Sequence, residues 1–500
     1  MLLRNSLWNL SGNAVPALVA LATVPFLIHG LGLEGFGIVT LISSVVGYFG
    51  VLDINLSAGS IRYLSHYHAQ NDRERFAETF WFGLIFYTAL GITGCLLLLA
   101  FAQPLLAFFF KMTDIPTEQT LQALQLAGLG FLLSQWQNYL MIVPQALQRF
   151  DKAAQGEAFF GVIVNIVSAA VAMTGSGIAW VIGARIMVSA LHSLWLVWLL
   201  SQLDVKLSPV WPRRSVAADL TSFSAYAYLS RLASLLHQHA DKLIIGAIAG
   251  PQALTFYAVP SQLASRILGL TYRLSSVIYP RVSALSALGE SAQLRRMYLD
   301  VTRLLTYINF AVLGIIALTG EEFLKRWVGA EFVASSYPVL LLGTLGLLMD
   351  SLTHIPSMVN DGLGHPRVTG SFALLRGLLG VPLVFIGMQS GGILGAAGGH
   401  LLASIAITFI FLIYVHGRTV PVSLSDTLRV SWLPGLITGA GAFSLMLPLK
   451  YWLPDNLVGM LTLAVVATLT LITAGFTFVV SFDERNALWS ATRRYLPGVR

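Results

Sequence analysis

The sequence predicts an all-α, polytopic membrane protein of about fourteen transmembrane helices, and three observations predict it. Of 500 residues, 56% are hydrophobic and only 11% charged, where a soluble chain carries about 25% charge. Apolar runs of about 20 residues, the length of a membrane-crossing helix, recur from end to end. The bases between these runs crowd onto alternate connections, the charge asymmetry of an oriented membrane chain. Thirty Lys and Arg with 23 Asp and Glu cannot coat a soluble particle of this size, so most of its surface faces lipid. A cytosolic enzyme, a disordered chain and a disulfide scaffold are excluded. The single cysteine, Cys95, lies inside an apolar run and forms no CxxC pair.

In chain order the runs fall at roughly 10–31, 37–58, 79–101, 120–143, 157–174, 178–200, 221–248, 255–282, 301–319, 337–359, 369–389, 392–415, 431–450 and 457–481. Twelve or thirteen spans are the alternatives. Thr174-Gly175-Ser176-Gly177 and Gln389-Ser390-Gly391-Gly392 read as tight turns between antiparallel neighbours. With both termini cytoplasmic, the inside segments hold Arg4, Arg62, Arg73, Arg75, Arg149, Lys152, Lys206, Arg213, Arg214, Arg281, Arg295, Arg296, Arg303, Arg367, Arg418, Arg429, Arg485, Arg493, Arg494 and Arg500. The outside holds only Lys111, Lys325, Arg326 and Lys450, a bias that fixes the orientation. It also accounts for the net charge of +7 without a nucleic-acid partner. Ala20-Leu21-Ala22 imitates a cleavage site, but the apolar run before it is short and holds Pro16; the first helix is expected to stay.

The basic loop Ser201–Ala218 separates residues 1–209, a first lobe of six spans, from 210–420, a second; 421–500 adds two spans and a cytoplasmic tail. Counted from Gly32 the first lobe reaches Arg62, Arg73 and Arg75, and counted from Gly250 the second reaches Arg281, Arg295 and Arg296 at similar distances. Six spans per lobe give a parallel repeat about the membrane normal, suited to rocking around a central cavity.

Soluble-enzyme motifs fail in context. Gly30-Leu31-Gly32-Leu33-Glu34-Gly35 matches G-x-G-x-x-G but follows an apolar helix, so it reads as an interhelical turn. No P-loop, H-E-x-x-H or G-x-S-x-G occurs. His66/His68 and His237/His239 stand two apart, on different sides of a helix, and no metal or other cofactor is expected beyond a coupling ion, H+ or Na+. Gly387, Gly391, Gly395 and Gly399, and Gly435 with Gly439, are spaced for helix packing.

The informative charges lie within the runs. Arg185, Arg231, Lys242, Arg266, Arg273 and Arg376 face only Asp53, Asp241 and Asp350 as acids. A central Arg costs roughly 2.5–3.5 kcal/mol on the gentler insertion scale, so such residues need partners or a wet cavity. Arg266 and Arg273 share a helix face with Gln262; Arg231 shares one with Ser234 and Gln238. Gln135, Gln137 and Asn138 add polar groups to span four. The functional reading is a cationic cavity for a phosphate or pyrophosphate group, which the Arg fork matches. The competing reading is internal pairing, of Asp350 with Arg376 and Asp241 with Lys242. Asp350 with His354, and Asp53, are candidates for ion coupling, with a structural pair as the alternative.

Particular stretches carry a resemblance. Gly32-Leu33-Glu34-Gly35-Phe36-Gly37-Ile38, Tyr48-Phe49-Gly50-Val51-Leu52-Asp53-Ile54-Asn55-Leu56, Ala146-Leu147-Gln148-Arg149-Phe150-Asp151, Asp241-Lys242-Leu243-Ile244-Ile245-Gly246, Tyr257-Ala258-Val259-Pro260 and Tyr279-Pro280-Arg281 resemble bacterial polysaccharide-biosynthesis flippases of the O-antigen type. The likeness covers roughly the first 300 residues in sequence and the rest by topology. Asp53-Ile54-Asn55 stands where that family usually has Asp-Leu-Gly, and Lys242 where Arg is commoner. The resemblance implies membership of the multidrug, oligosaccharidyl-lipid and polysaccharide exporter superfamily, with two six-helix lobes around a cavity and two further C-terminal helices. It also implies movement of an undecaprenyl-pyrophosphate-linked oligosaccharide to the outer leaflet of the inner membrane by alternating access, with no covalent step and hence no enzyme. In that reading Arg231, Arg266 and Arg273, supported by Arg376, Lys242 and Arg185, meet the pyrophosphate, and Gln135, Asn138 and Gln262 accommodate sugar. A polysaccharide polymerase is an expected partner, and the protein is expected to be a monomer. Three alternatives stand: a cation-coupled multidrug exporter, a peptidoglycan lipid-precursor flippase, and a membrane glycosyltransferase or polymerase.

Overall fold

The computed structural model describes residues 2–110, 115–203, 207–275, 278–481 and 484–485. Of the residues singled out above, Arg4, Lys111, Lys206, Arg273, Tyr279, Pro280, Arg493, Arg494 and Arg500 lie outside the described residues or side chains. Every regular element among the described residues is helical: α1 (Leu2–Tyr48), α2 (Leu56–Ala69), α3 (Arg73–Ala100), α4 (Ala102–Phe109), α5 (Thr117–Leu140), α6 (Ile142–Ala146), α7 (Phe150–Met173), α8 (Ile178–Gln202), α9 (Arg214–Ser275), α10 (Ile278–Ala287), α11 (Ser291–Trp327), α12 (Ala330–Ser351), α13 (His354–Gly362), α14 (Pro366–Arg418), α15 (Leu424–Asp426), α16 (Leu433–Trp452) and α17 (Leu457–Ala474). Among the described residues, ten helical runs are long and apolar enough to cross a membrane, so the chain is a multi-pass membrane protein.

Three of the longest runs are bent pairs. α1 breaks at Gly32 (φ 74, ψ 171) and α9 at Gly250 (φ 81, ψ 175). These are the two glycines from which the internal repeat was counted, and their backbone conformations nearly coincide. Only glycine enters that region without strain. α14 breaks at Gly391 and Gly392, inside the expected Gln389–Gly392 turn. α5 covers the predicted fourth span and is more polar than the ten.

The chain divides into two compact units, each with its own core. The first comprises Met1–Ala258 and Ala373–Ala396. In it α1 lies along α7, and α5 packs against both α3 and α8. Leu56, Leu64, Phe76, Phe80, Tyr87, Tyr139, Leu196 and Leu199 form a core at one end, which Val216 and Leu220 join. The loop Ser201–Ala218 is therefore no free linker: Trp81 Nε1 donates to the Ser208 carbonyl at 2.9 Å, and Arg213 bonds Glu74 and Glu78. Thr255 Oγ1 donates to the Leu33 carbonyl at 2.6 Å, fastening the two bent pairs to each other beside their breaks.

The second unit comprises Val259–Phe372 and Ala397–Arg500. Its main core gathers Val282, Tyr298, Leu299, Ile355, Val359, Phe411, Leu412 and Trp432. The two last long helices pack on α11: Gly439 of α16 lies against the Phe310 ring, Gly475 just after α17 against Tyr307, and Ser431 Oγ donates to the Leu299 carbonyl at 2.7 Å.

Within the first unit, the small-residue spacing around the α14 break closes a backbone contact. A β-carbon at Gly395 would sit 2.0 Å from the Gly387 carbonyl oxygen, with backbone on both sides. Gly395→Val is therefore expected to destabilise the protein by about 1–3 kcal/mol, read as a lower melting temperature in detergent. Gly398→Ala, whose β-carbon would meet no atom within 4 Å, is the neutral comparison.

Candidate functional site

The polar constellation that the fold assembles in the first unit sits where α1 ends. A 3-10 turn, Phe49–Leu52, follows α1, and Asp53 leaves it extended, its backbone N–H donating to the Gly50 carbonyl at 3.1 Å. Asn55 then takes the left-handed conformation (φ 59, ψ 43) that starts α2. Asn is among the few residues other than Gly that enter this region readily. Asn55 thus makes a left-handed turn that a glycine would also enter freely.

Asp53 is buried, 8% exposed. Its Oδ1 accepts the Asn55 backbone N–H at 2.9 Å and the Tyr87 hydroxyl at 3.1 Å. Tyr87, on α3, is in turn held by the Ser57 N–H at 3.1 Å and by stacking on Tyr139 of α5, with ring centroids 5.2 Å apart. Tyr139 donates to the carbonyls of Thr79 and Phe80, at 3.1 and 2.9 Å. Two buried phenols thus fix one carboxylate oxygen from behind.

Arg231 approaches from α9. It lies midway between Arg214 and the Gly250 break, and Tyr228, one turn earlier, donates its hydroxyl to the Val51 carbonyl at 2.8 Å. The guanidinium rests on the 3-10 turn: Nη2 would be 3.2 Å from a β-carbon at Gly50. It is near enough to Asp53 to attract its charge through space. Its Nε is buried and has no hydrogen-bond partner among the described residues. An Arg donor left unmade inside a membrane-spanning helix is costly.

The other predicted residues are placed as follows. In the first unit, Arg185 of α8 donates from Nε to Ser168 Oγ of α7 at 3.0 Å. Lys242 pairs with Asp241 at 3.6 Å and also bonds the Gln238 carbonyl, while Tyr257 donates to Asp241 at 2.9 Å. The expected Asp241–Lys242 pair is thus formed. Gln135 is buried and Asn138 exposed on α5; Gln137 between them bonds Ser189 and Ser193 of α8. Arg376 is half-buried on α14. In the second unit Gln262 is half-buried and Arg266 exposed. Asp350 is buried in the last turn of α12, and His354 opens α13 beyond a turn at Leu352–Thr353.

Sequence reasoning missed Tyr87, Tyr139 and Gly50. The signals were for Gly50 alone: its place in the stretch 48–56 that carries the resemblance, and its position three residues before an intramembrane acid.

The sequence model of the polysaccharide biosynthesis protein family matches residues 31–337. The chain belongs to this family. A member's curated relatives include a putative O-antigen transporter of Shigella flexneri, 24% identical over 401 residues, which are 79% of this chain and 93% of that protein. The teichuronic acid biosynthesis protein TuaB of Bacillus subtilis is 23% identical over 356 residues, 70% of this chain and 71% of its own. Among solved structures, the lipid II flippase MurJ in an inward closed conformation superposes with a TM-score of 0.71 at 13% identity, covering 94% of this chain and 98% of its own. A multidrug resistance transporter of the MATE family in an inward-facing conformation gives 0.68 at 17% identity, over 84% and 96%. The family member's fold is that of these membrane transporters.

Proposed function

We propose that the protein is a flippase carrying an undecaprenyl-pyrophosphate-linked oligosaccharide, a polysaccharide repeat unit, across the bacterial inner membrane by alternating access, with both termini cytoplasmic. The observation that carries this reading is Arg231: a guanidinium in a membrane-spanning helix, with a buried donor that no described residue satisfies. A diphosphate supplies acceptors with the charge and geometry that such a fork binds. The relatives' names, O-antigen transporter and teichuronic acid biosynthesis protein, support a polysaccharide cargo. The task is charge neutralisation during transit, so no bond is made or broken. Arg266 and Arg273 form the second cationic stripe of this reading, with Arg376, Lys242 and Arg185 in support; Gln135, Asn138 and Gln262 contact sugar. Asp53, or Asp350 with His354, couples an ion, and a polymerase receives the product.

In the host, loss of the protein is expected to leave a lipid-linked glycan repeat trapped in the inner leaflet, measured as extracted glycolipid inaccessible to an added impermeant glycosidase. Build-up of a peptidoglycan lipid precursor in its place would overturn the reading in favour of a peptidoglycan lipid-precursor flippase, the alternative that the likeness to the lipid II flippase MurJ fits. The multidrug alternative fits a cationic cargo, and the six intramembrane bases against three acids weigh against it.

A further inference from the structure

The geometry around the 3-10 turn points to an exchange of partners: we infer that Asp53 is the resident counter-anion of Arg231, and that uptake of a proton by Asp53 releases Arg231 to an incoming phosphate group. The inference rests on the reading of Arg231 as a phosphate-binding cation and adds what regulates it.

Three observations carry it. First, Asp53 and Arg231 share one scaffold. The Asp53 N–H bonds the Gly50 carbonyl, and Arg231 lies on Gly50, where any β-carbon would press on Nη2 at 3.2 Å. Asp53 and Arg231 thus both bear on the same four-residue turn. Second, the Arg231 Nε is buried and unpartnered, so the guanidinium is drawn to Asp53 through space without using that donor. The attraction holds the cation in place yet leaves part of its fork open. Third, the groups facing the Asp53 oxygen are an amide N–H from Asn55 and the Tyr87 hydroxyl. These donors, with Arg231, favour the ionised carboxylate in the empty site, so proton uptake by Asp53 and release of Arg231 go together. In this exchange a proton from the aqueous phase, not Na+, is the ion that bonds to the carboxylate oxygen. Once protonated, Asp53 no longer competes with phosphate for Arg231.

The groups around the carboxylate are few. α2 contributes Asn55 and Ser57, α3 contributes Tyr87, and α5 contributes Tyr139 stacked behind it. α9 contributes Arg231 and Tyr228. Farther along α9, the His239 ring lies against Gly47 and has Arg231, Asp241 and Lys242 as its charged neighbours. His239 is thus the other titratable group able to modulate Arg231, and His239→Gln is the control that separates the two.

The test uses the full-length protein in detergent, sodium-free buffer and inorganic pyrophosphate as probe, with affinity measured by calorimetry from about pH 8 to about pH 5.5. Pyrophosphate itself titrates, so the wild-type affinity is divided by that of Asp53→Asn at the same pH. That ratio is expected to climb about tenfold towards unity as the pH falls, in wild type and in His239→Gln. Asp53→Glu restores the slope that Asp53→Asn removes. A ratio that does not change with pH overturns the inference, as does Na+ tightening wild-type binding at fixed pH. If the variants do not fold, calorimetry of the wild type in two buffers of different ionisation enthalpy counts protons. Uptake beyond pyrophosphate's own is expected near pH 7.5, and its absence overturns the inference equally. Arg231→Gln separates the two levels: undiminished pyrophosphate binding there removes the flippase site itself, whereas lost binding there with a flat ratio removes only the role of Asp53.

Discussion

Arg231→Gln is expected to slow the flipping of a fluorescent polyprenyl-pyrophosphate saccharide in proteoliposomes by about 10- to 100-fold, the equivalent of the roughly 1.5–3 kcal/mol carried by hydrogen bonds to a charged group. The melting temperature is expected to fall only modestly, because Asp53 loses the charge of Arg231 but keeps the Asn55 N–H and the Tyr87 hydroxyl, and the unpartnered buried Nε is removed with the side chain. A structural role predicts the reverse, a loss of stability equal to or larger than the loss of transport. Arg231→Lys keeps the charge without the planar fork and should recover only part of the rate. Full recovery by Lys would show that charge alone is read at this position. An unchanged rate in Arg231→Gln would remove the cationic-site reading.

What the sequence disclosed follows from what lipid demands. A bilayer requires about 20 apolar residues per crossing and penalises every charge within it, so the helical pattern and Arg231 stood out from composition alone. The breaks at Gly32, Gly250 and Gly391–Gly392 were legible because Gly marks turns between apolar runs. Polar partners in the interior were not. Tyr is unremarked in a membrane helix, and nothing in the spacing of Tyr87 and Tyr139 announces that they stack and brace Asp53. The Asp241–Lys242 pair could be named in advance because adjacent residues need no tertiary knowledge, and it is formed at 3.6 Å. Arg185 with Ser168 could not, since that bond depends on how α7 lies beside α8. The loop Ser201–Ala218 looked like a separator because Pro and Arg mark exposed chain. Its docking on α3 turns on Glu78, an acid near a helix start that reads as solvated surface.

That acid gives the second large effect. Glu78 is 1% exposed, its Oε1 lies 3.1 Å from Arg213 Nε, and its Oε2 has no hydrogen-bond partner among the described residues. Arg213 also holds Glu74, which sits in the first turn of α3, where a negative charge is favoured by the helix dipole. Removing Arg213 strands a buried carboxylate. The cost of breaking a fully buried pair this way is about 3–5 kcal/mol; because Arg213 is itself 56% exposed, water recovers part of it, and about 2–3 kcal/mol is expected for Arg213→Ala. Glu78→Gln should cost less, since it removes the stranded charge together with the pair. The double variant should therefore be more stable than Arg213→Ala alone, a coupling readable from the four melting temperatures of the cycle. Additive losses would mean that Glu78 is solvated and that the loop is held by Trp81 and the apolar contacts of Val216 and Leu220. The cycle also bears on transport, because this strap joins α8 to α9, the helix that carries Arg231. If the strap sets the position of α9, Arg213→Ala should reduce flipping in proportion to its loss of stability, and Glu78→Gln in the same background should restore both together.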